Sequence, residues 1–235
     1  MRLFLAGAGG AIGRRLTPLL CAAGHQVAGT TRSADKADAI AELGAEPVVV
    51  DVFDGAALTQ AVTAARPDVI IHQLTDLAFA PGTPRYEEGL ARNARLRIEG
   101  TRNLVAAAKA AGVRSMIAQS IAFIYAPGEG ARVENDPLVR GTVTSDAVSI
   151  MEHAVLALPE GIVLRFGFFY GPGTWSAETA IRMPAVHVDA AAQATLLALT
   201  KGKPGIYNFA EDDPGLSSDK AKRELGFDPG FRIKA

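Results

Sequence analysis

The chain has 235 residues, of which 49% are hydrophobic and 21% charged, with 24 Lys and Arg side chains against 25 Asp and Glu. A net charge of -1 argues against a general nucleic-acid binder, and one cysteine excludes an intrachain disulfide framework or a multi-cysteine metal site. The longest stretch without a charged residue, 16–31, is shorter than the about 20 apolar residues of a membrane span. Three early glycines and two arginines argue against a signal peptide. We expect a compact cytoplasmic protein.

Short apolar runs alternate with segments of helical periodicity through the first 166 residues. The runs lack the polar alternation of a one-sided sheet, which is typical of parallel strands buried on both faces. We therefore predict an α/β fold with a doubly wound parallel sheet (Rossmann fold) over 1–170. The predicted strands are 2–6, 25–31, 47–50, 68–72, 114–119 and 162–166, and the predicted helices are 13–24, 34–43, 55–65, 86–111 and 144–158.

The pattern weakens after about residue 171, where only a helix over 189–199, a strand over 206–209 and a helix over 217–225 are indicated. We predict a small C-terminal substrate lobe over 171–235, with the first of these helices packing back on the Rossmann part. The lobe is short, and its junctions at 175–178 and 214–217 are abrupt. We hypothesise that mobile substrate-lid loops of a longer chain are missing from it.

A glycine-rich turn follows the first predicted strand and opens the first helix. Gly7, Gly10 and Gly13, with Ala11 and Ile12 between them, give a G-x-x-G-x-x-G spacing. Such a turn leaves the backbone free of Cβ atoms where a pyrophosphate approaches, and the helix N-terminus attracts the phosphates. We therefore predict a dinucleotide site at this turn.

The end of the second predicted strand distinguishes the two nicotinamide cofactors. A site that prefers NAD carries a carboxylate here for the ribose 2′-hydroxyl, whereas this chain has Thr31, Arg32 and Ser33. An arginine fork and two hydroxyls suit a 2′-phosphate, and Arg14 could assist. We predict NADP(H) in preference to NAD(H).

The third predicted strand ends at Asp51 and Val52, where an adenine edge would lie. Asp51 could accept a hydrogen bond from the adenine amino group. Asp54 is better explained as the N-cap of the next helix.

The chain resembles the extended short-chain dehydrogenase/reductase superfamily, specifically its NAD-dependent epimerase/dehydratase family. The resemblance covers almost the whole chain and rests on several motifs besides the glycine turn and Asp51. These motifs are Asn93, Gly100-Thr101-Arg102-Asn103-Leu104, Ala107-Ala108, Gly112-Val113, Gln119-Ser120, Tyr125, Leu164-Arg165, Tyr170-Gly171-Pro172-Gly173, His187-Val188-Asp189-Ala190-Ala191 and Ala221-Lys222-Arg223-Glu224-Leu225-Gly226.

The resemblance implies hydride chemistry at a nicotinamide, with a tyrosine as acid/base, a lysine four residues later and a serine or threonine on the substrate oxygen. Counting back from Glu152, the tyrosine and lysine positions fall on Thr144 and Val148, and no Tyr-x-x-x-Lys occurs in the chain. The serine position falls on Ser120 or Ile121. The chain therefore lacks the superfamily's catalytic dyad.

Three functions remain open. An atypical reductase could use another proton donor, for which Ser120, Tyr125 and Thr144 are the principal candidates, followed by Tyr86 and Tyr170. Core packing is the better explanation of Tyr125, whose role in the resemblance is mainly structural. The alternatives are a sensor whose NADP occupancy controls a partner, and an enzyme that has lost its activity.

Substrate contacts are predicted from loop positions. The loop 76–86 should overlie the nicotinamide, which makes Phe79, Arg85 and Tyr86 candidates. Phe168 replaces an asparagine that relatives use for nucleotide sugars, so a smaller or more apolar carbonyl compound is favoured. The resemblance also implies a homodimer through the helices 86–111 and 144–158.

The remaining histidines and the cysteine are assigned structural or surface positions, and no metal site is predicted. They are His72, His153, His187 with Asp189, and Cys21.

Overall fold

A parallel sheet of seven strands forms the centre of the computed structural model, which describes residues 1–77 and 79–233. The strand order is β3-β2-β1-β4-β5-β6-β9, with every neighbouring pair parallel. This order reverses direction at β1, which confirms the doubly wound fold. The strands are β1 (Arg2–Ala6), β2 (Gln26–Thr31), β3 (Glu46–Val49), β4 (Val69–His72), β5 (Ser115–Ile121), β6 (Glu160–Phe166) and β9 (Gly205–Phe209), and a separate pair is formed by β7 (Phe168–Tyr170) and β8 (Ala185–His187).

Helices cover both faces of the sheet. They are α1 (Gly13–Ala22), α2 (Ala37–Ala41), α3 (Gly55–Ala65), α4 (Tyr86–Arg95), α5 (Thr101–Ala110), α6 (Val143–Leu156), α7 (Val188–Lys201) and α8 (Asp219–Leu225). No helix in the described part of the chain is both long enough and apolar enough to span a bilayer.

Alternate side chains of each strand enter different hydrophobic cores. In β1, Leu3 and Leu5 pack in the core under α1 and α7, while Phe4 and Ala6 pack in the core under α3 and α5. All four are at most 1% exposed. Because successive strand residues point to opposite faces, burial on both sides requires the unbroken apolar runs seen in the sequence.

The predicted helix over 86–111 is divided in the structure. A π-helical turn at Leu96–Gly100 separates α4 from α5. Such a turn inserts an extra residue into the helical repeat and redirects the side chains that follow. Here Leu96 contributes to the dinucleotide cleft described below, while Arg97 is buried.

Two elements of the predicted C-terminal lobe lie in the main body of the protein. Strand β9 pairs with β6 as the last strand of the sheet, and α7 packs against α1. The three-residue strands β7 and β8 were not anticipated, because segments this short carry no detectable periodicity.

His72 ends β4 in a closed environment and is 1% exposed. Its Nδ1 accepts a hydrogen bond from the Leu74 backbone N–H, so its Nε2 carries the proton and donates to Thr101 Oγ1 at 3.0 Å. Burial, with the positive charge of Arg97 adding to it, lowers the pKa of His72 to about 4. The histidine is therefore a neutral structural group, as predicted.

His72 should make the fold sensitive to acid. The unfolded chain protonates this side chain near pH 6.5 and the folded chain near pH 4, so the free energy of unfolding falls as the pH drops through this window. The expected loss is about 3 kcal/mol. Urea denaturation at pH 7 and pH 4 should show a smaller difference for His72→Gln than for the parent, whereas the exposed His153→Gln should match the parent. Equal pH dependence in all three proteins would contradict this assignment.

Candidate functional site

The glycine turn has the geometry that a pyrophosphate requires. Gly7 adopts a φ of +100°, and a Cβ there would lie 2.9 Å from the Gln73 carbonyl carbon. At Gly13 a Cβ would collide with the carbonyl oxygens of Gly7 and Ala8, so only glycine lets α1 start this close to β1. The space above the turn is open, since a Cβ on Gly9 would meet nothing within 4 Å. The turn can therefore accommodate phosphates at the N-terminus of α1.

A cleft runs along the carboxyl ends of β1, β2 and β4, where ligands bind in open α/β sheets. Its walls are partly apolar, while Thr31, Arg32 and Lys36 form its end at β2. Arg32 and Lys36 are exposed, and neither carries an ion pair with a described residue. The lining residues are Ala6, Gly7, Gly9, Gly10, Thr30, Thr31, Arg32, Lys36, Val50, Val52, Leu58, Gln73, Leu74, Thr75 and Leu96.

The other residues predicted to contact the cofactor lie around this cleft with local partners of their own. Ser33 Oγ donates to Asp35, and Asp51 accepts from the Phe53 backbone N–H at 2.9 Å. Ile12 is buried in the core beneath α1, so only its backbone can face a phosphate, while Ala11 is half-buried. Asp54 caps α3 through the Ala57 N–H, as expected.

Gln73 is a lining residue that sequence patterns did not indicate. Its side chain is 5% exposed, and its Nε2 donates to Thr195 Oγ1 at 3.3 Å. Its Oε1 has no hydrogen-bond partner among the described residues. An unpaired buried acceptor costs about 1–3 kcal/mol. The carboxamide or ribose of a nicotinamide nucleotide could donate to it, so the cleft fits NAD(P).

The region in which the resemblance predicts polar catalytic groups is apolar in this chain. Ile121, Ile124 and Val148 form a buried cluster, and Val148 is 0% exposed. Val148 is the residue at which the count back from Glu152 predicts the superfamily's lysine position. Ile121 therefore faces that position, while Ser120 points elsewhere.

Ser120 and Tyr125 belong to one buried polar network. Ser120 donates to Glu152 at 2.6 Å, and Arg165 forms two hydrogen bonds with the same carboxylate, at 2.6 and 2.9 Å. Arg165 also donates to Tyr125 OH, which donates to Asn208 at 2.7 Å. Burial raises the pKa of Tyr125, which opposes formation of a phenolate. These contacts favour structural roles for both hydroxyls.

Burial opposes the charge of Arg165, but the hydrogen bonds and negative charge of Glu152 outweigh it and raise the arginine's pKa. Arg97 lies nearby on the π-helical turn and is 6% exposed, with no hydrogen bond or ion pair to a described residue. Burial lowers the pKa of Arg97 to about 10, and the charge of Glu152 partly offsets the effect. The negative charge of Glu152 thus partly offsets the buried positive charges of both arginines.

The residues predicted to contact substrate divide into two groups. Phe79 lies beneath Arg85, whose guanidinium carbon is 4.2 Å from the ring centroid, and Arg85 pairs with Glu88 at 2.7 Å. These contacts within the chain explain the positions of both side chains without a bound substrate. Tyr86 is half-buried, as is Thr144, the last of the principal proton-donor candidates, and neither side chain has a hydrogen-bond partner among the described residues. Their roles stay predictions.

The loop containing Phe79 is joined to the segment that follows β7. Trp175 Nε1 donates to the Leu77 carbonyl at 3.0 Å, and the indole remains 45% exposed. Phe168 begins β7 and is half-buried at the carboxyl edge of the sheet. This contact holds the two loops together at the rim of the site.

A second concavity lies in the C-terminal part, lined by Glu211, Asp212, Asp213 and Lys222 among others. Its acidic lining would repel a pyrophosphate, so of these two concavities the glycine-turn cleft is the one that suits a dinucleotide. His187 Nδ1 accepts from the Asp189 N–H and caps α7, which is the predicted structural role. The described residues contain no group of three or more His, Cys, Asp or Glu that could hold a metal.

Comparison with known proteins supports this geometry. A family model described as NAD(P)H-binding matches residues 7–152. A 3-diazoavenalumate denitrifying reductase from Streptomyces sp. is 39% identical over 264 aligned positions, covering 100% of this chain and 85% of the relative.

Solved structures share the fold at low sequence identity. A UDP-glucose 4-epimerase of Thermus thermophilus, in complex with NAD, superposes with a TM-score of 0.80 at 19% identity, covering 99% of this chain and 95% of that one. A UDP-glucose 4-epimerase of Thermotoga maritima, with UDP-glucose, gives 0.78 at 18% identity, covering 99% and 94%.

Removing Arg165 should destabilise the protein strongly. Arg165→Met leaves the buried Glu152 carboxylate without its main partner, which should cost about 3–5 kcal/mol in urea denaturation. Lys222→Met is the control, because it breaks a pair with an Asp212 side chain that is 86% exposed. That variant should lose less than about 1 kcal/mol. Equal losses would contradict the structural importance of the buried network.

Proposed function

Because the chain belongs to the NAD(P)H-binding family, within the short-chain dehydrogenase/reductase superfamily and of the epimerase/dehydratase type, we propose that it is an NADP(H)-dependent reductase that needs no protein proton donor. The resemblance noted in the sequence is thus confirmed at the level of the family. The related proteins are reductases, epimerases and dehydratases, which supports an enzymatic role.

The apolar cluster of Ile121, Ile124 and Val148 carries this proposal. Reduction of a carbonyl group creates an alkoxide that must be protonated, and the superfamily's tyrosine and lysine supply that proton. Here the lysine position is a buried valine, and the hydroxyls of Ser120 and Tyr125 are engaged in the Glu152–Arg165 network. The site therefore suits a substrate whose reduction produces no oxyanion.

A diazo group attached to an aromatic ring is such a substrate. When bound, NADPH supplies a hydride. An aryl diazonium ion that accepts a hydride becomes the arene and releases N2. The C–N bond breaks and a C–H bond forms. The hydride supplies both electrons and the hydrogen, so no proton is needed. The relative named as a denitrifying reductase of a diazo compound supports this reaction class. The role of the protein is then to orient the ring and exclude water.

Cofactor preference is proposed from the β2 end of the cleft. A 2′-phosphate would meet two hydroxyls and two cations there, from Thr31, Ser33, Arg32 and Lys36. No carboxylate lines the described cleft at this end. The Thermus epimerase was solved with NAD, so the preference proposed here rests on this chain's own residues.

Arg32→Ala should weaken NADPH binding by about ten- to a hundredfold, because one charge-assisted contact contributes about 1.5–3 kcal/mol, while NADH binding stays unchanged. The control is Arg114→Ala, because Arg114 immediately precedes β5, at the amino ends of the strands and away from the cleft. Calorimetric titration measures both nucleotides. Equal affinity of the parent for NADH and NADPH would refute the preference.

The reaction itself is tested with 4-carboxybenzenediazonium and NADPH deuterated at C4, against a reaction without protein. We expect accelerated release of N2 and deuterium in the product benzoate, with no turnover of a panel of aldehydes and ketones. Thr144→Ala should keep the rate within about twofold, since no proton donor is required. A large loss in that variant, or turnover of carbonyl compounds alone, would contradict the proposal. Tight NADPH binding without turnover of any substrate would instead favour the sensor function.

The homodimer is supported by exposed apolar side chains on the π-helical turn and α6. Ile98 is 37% exposed and Ile150 is 48% exposed, and the two segments pack side by side. A single-chain molar mass in solution would contradict the dimer. The cytoplasmic location stays a prediction based on the single cysteine.

A further inference from the structure

Two phenylalanines stack on each other at the carboxyl edge of the sheet. The Phe123 and Phe168 rings have centroids 3.8 Å apart and planes inclined by 10°. The register explains the pair: Ile121 is opposite Phe166 in the last pairing of β5 with β6, and each phenylalanine lies two residues beyond. Adjacent strands thus present the two rings side by side where substrates of α/β enzymes bind.

The stacked pair stays accessible. Phe123 is 37% exposed and Phe168 is half-buried, although both follow strands whose residues are almost fully enclosed. The neighbouring chain positions Ile121 and Ile124 belong to the apolar cluster that includes Val148. A flat apolar ligand that covers the exposed part of these rings removes apolar surface from water, which favours its binding.

A cation lies beside this aromatic surface. The guanidinium carbon of Arg182 is 5.7 Å from the Phe168 ring centroid. Arg182 is exposed, and its neighbours Ile181 and Met183 are 63% and 51% exposed. A guanidinium in this position can stay near the rings by cation–π attraction and still donate two parallel hydrogen bonds to a carboxylate.

We propose that Phe123, Phe168 and Arg182 form the substrate-recognition surface of this reductase, and that the substrate is a planar, conjugated aromatic carboxylate. The ring system stacks on the phenylalanine pair, and the carboxylate pairs with Arg182. The inference rests on the proposed function, because it names the class of molecule that the reductase takes. It also accounts for Phe168 at a position where the resemblance predicts a polar residue, since a sugar hydroxyl would find no hydrogen-bond partner on the two phenylalanine rings.

Binding measurements test the surface without requiring turnover. The full chain loaded with NADP+ is titrated calorimetrically with 4-hydroxycinnamate, its neutral amide, and 3-cyclohexylpropanoate, which keeps the charge but lacks a planar ring. We expect 4-hydroxycinnamate to bind about five- to tenfold more tightly than either analogue. Phe168→Leu should remove the advantage over the saturated acid, and Arg182→Met should remove the advantage over the amide.

Matched controls are Phe231→Leu, at the C-terminal end, and Arg223→Met, on α8, which should leave all three affinities unchanged. NADPH affinity reports folding of every variant. Equal binding of the three ligands by the parent, or unchanged selectivity in both site variants, would overturn the substrate class. If NADPH binds and none of the three acids or amides does, the substrate class fails while the reductase proposal stands. If NADPH itself does not bind, the proposed function fails as well.

Discussion

The ion pair between Glu152 and Arg165 is the interaction on which the organisation of the site depends. Each of the two side chains is 5% exposed, so the pair depends on its hydrogen bonds: Arg165 donates twice to the carboxylate, and Ser120 donates to it once. Through Ser120, Tyr125 and Asn208 it connects α6 with β5, β6 and β9. The apolar cluster and the stacked phenylalanines lie on these elements or within three residues of their ends, so this network helps to fix their relative positions.

The cleft and the region near β5 and α6 differ in chemical character. The cleft, near β1 and β2, offers open backbone, hydroxyls and cations, which suit a charged nucleotide. Near β5 and α6, the buried isoleucine and valine cluster adjoins the partly exposed pair of stacked phenylalanines. A hydride donor held at such a boundary would have its reacting end in an environment of low polarity, where water competes poorly for a reactive substrate.

Most of the fold could be read from the sequence, because strands buried on both faces leave long apolar runs and glycines mark the helix ends. Helix α3 was predicted with the same bounds that the structure has. The π-helical turn at Leu96–Gly100 was not, since an inserted residue leaves the surrounding helical pattern intact. At the site, the glycine turn and Arg32 were accessible from spacing and residue type. Gln73 and Phe123 were missed because an unpaired amide oxygen and a ring stack arise only when distant segments meet.

The hydrogen bond from Trp175 to the Leu77 carbonyl joins two loops at the mouth of the cleft. Trp175 is also the sole tryptophan of the sequence. The indole is therefore an intrinsic optical probe, because its emission depends on solvent contact and on the polarity around its N–H. The protein carries a fluorophore at its entrance, and the arrival of a ligand there can be followed in real time without any added label.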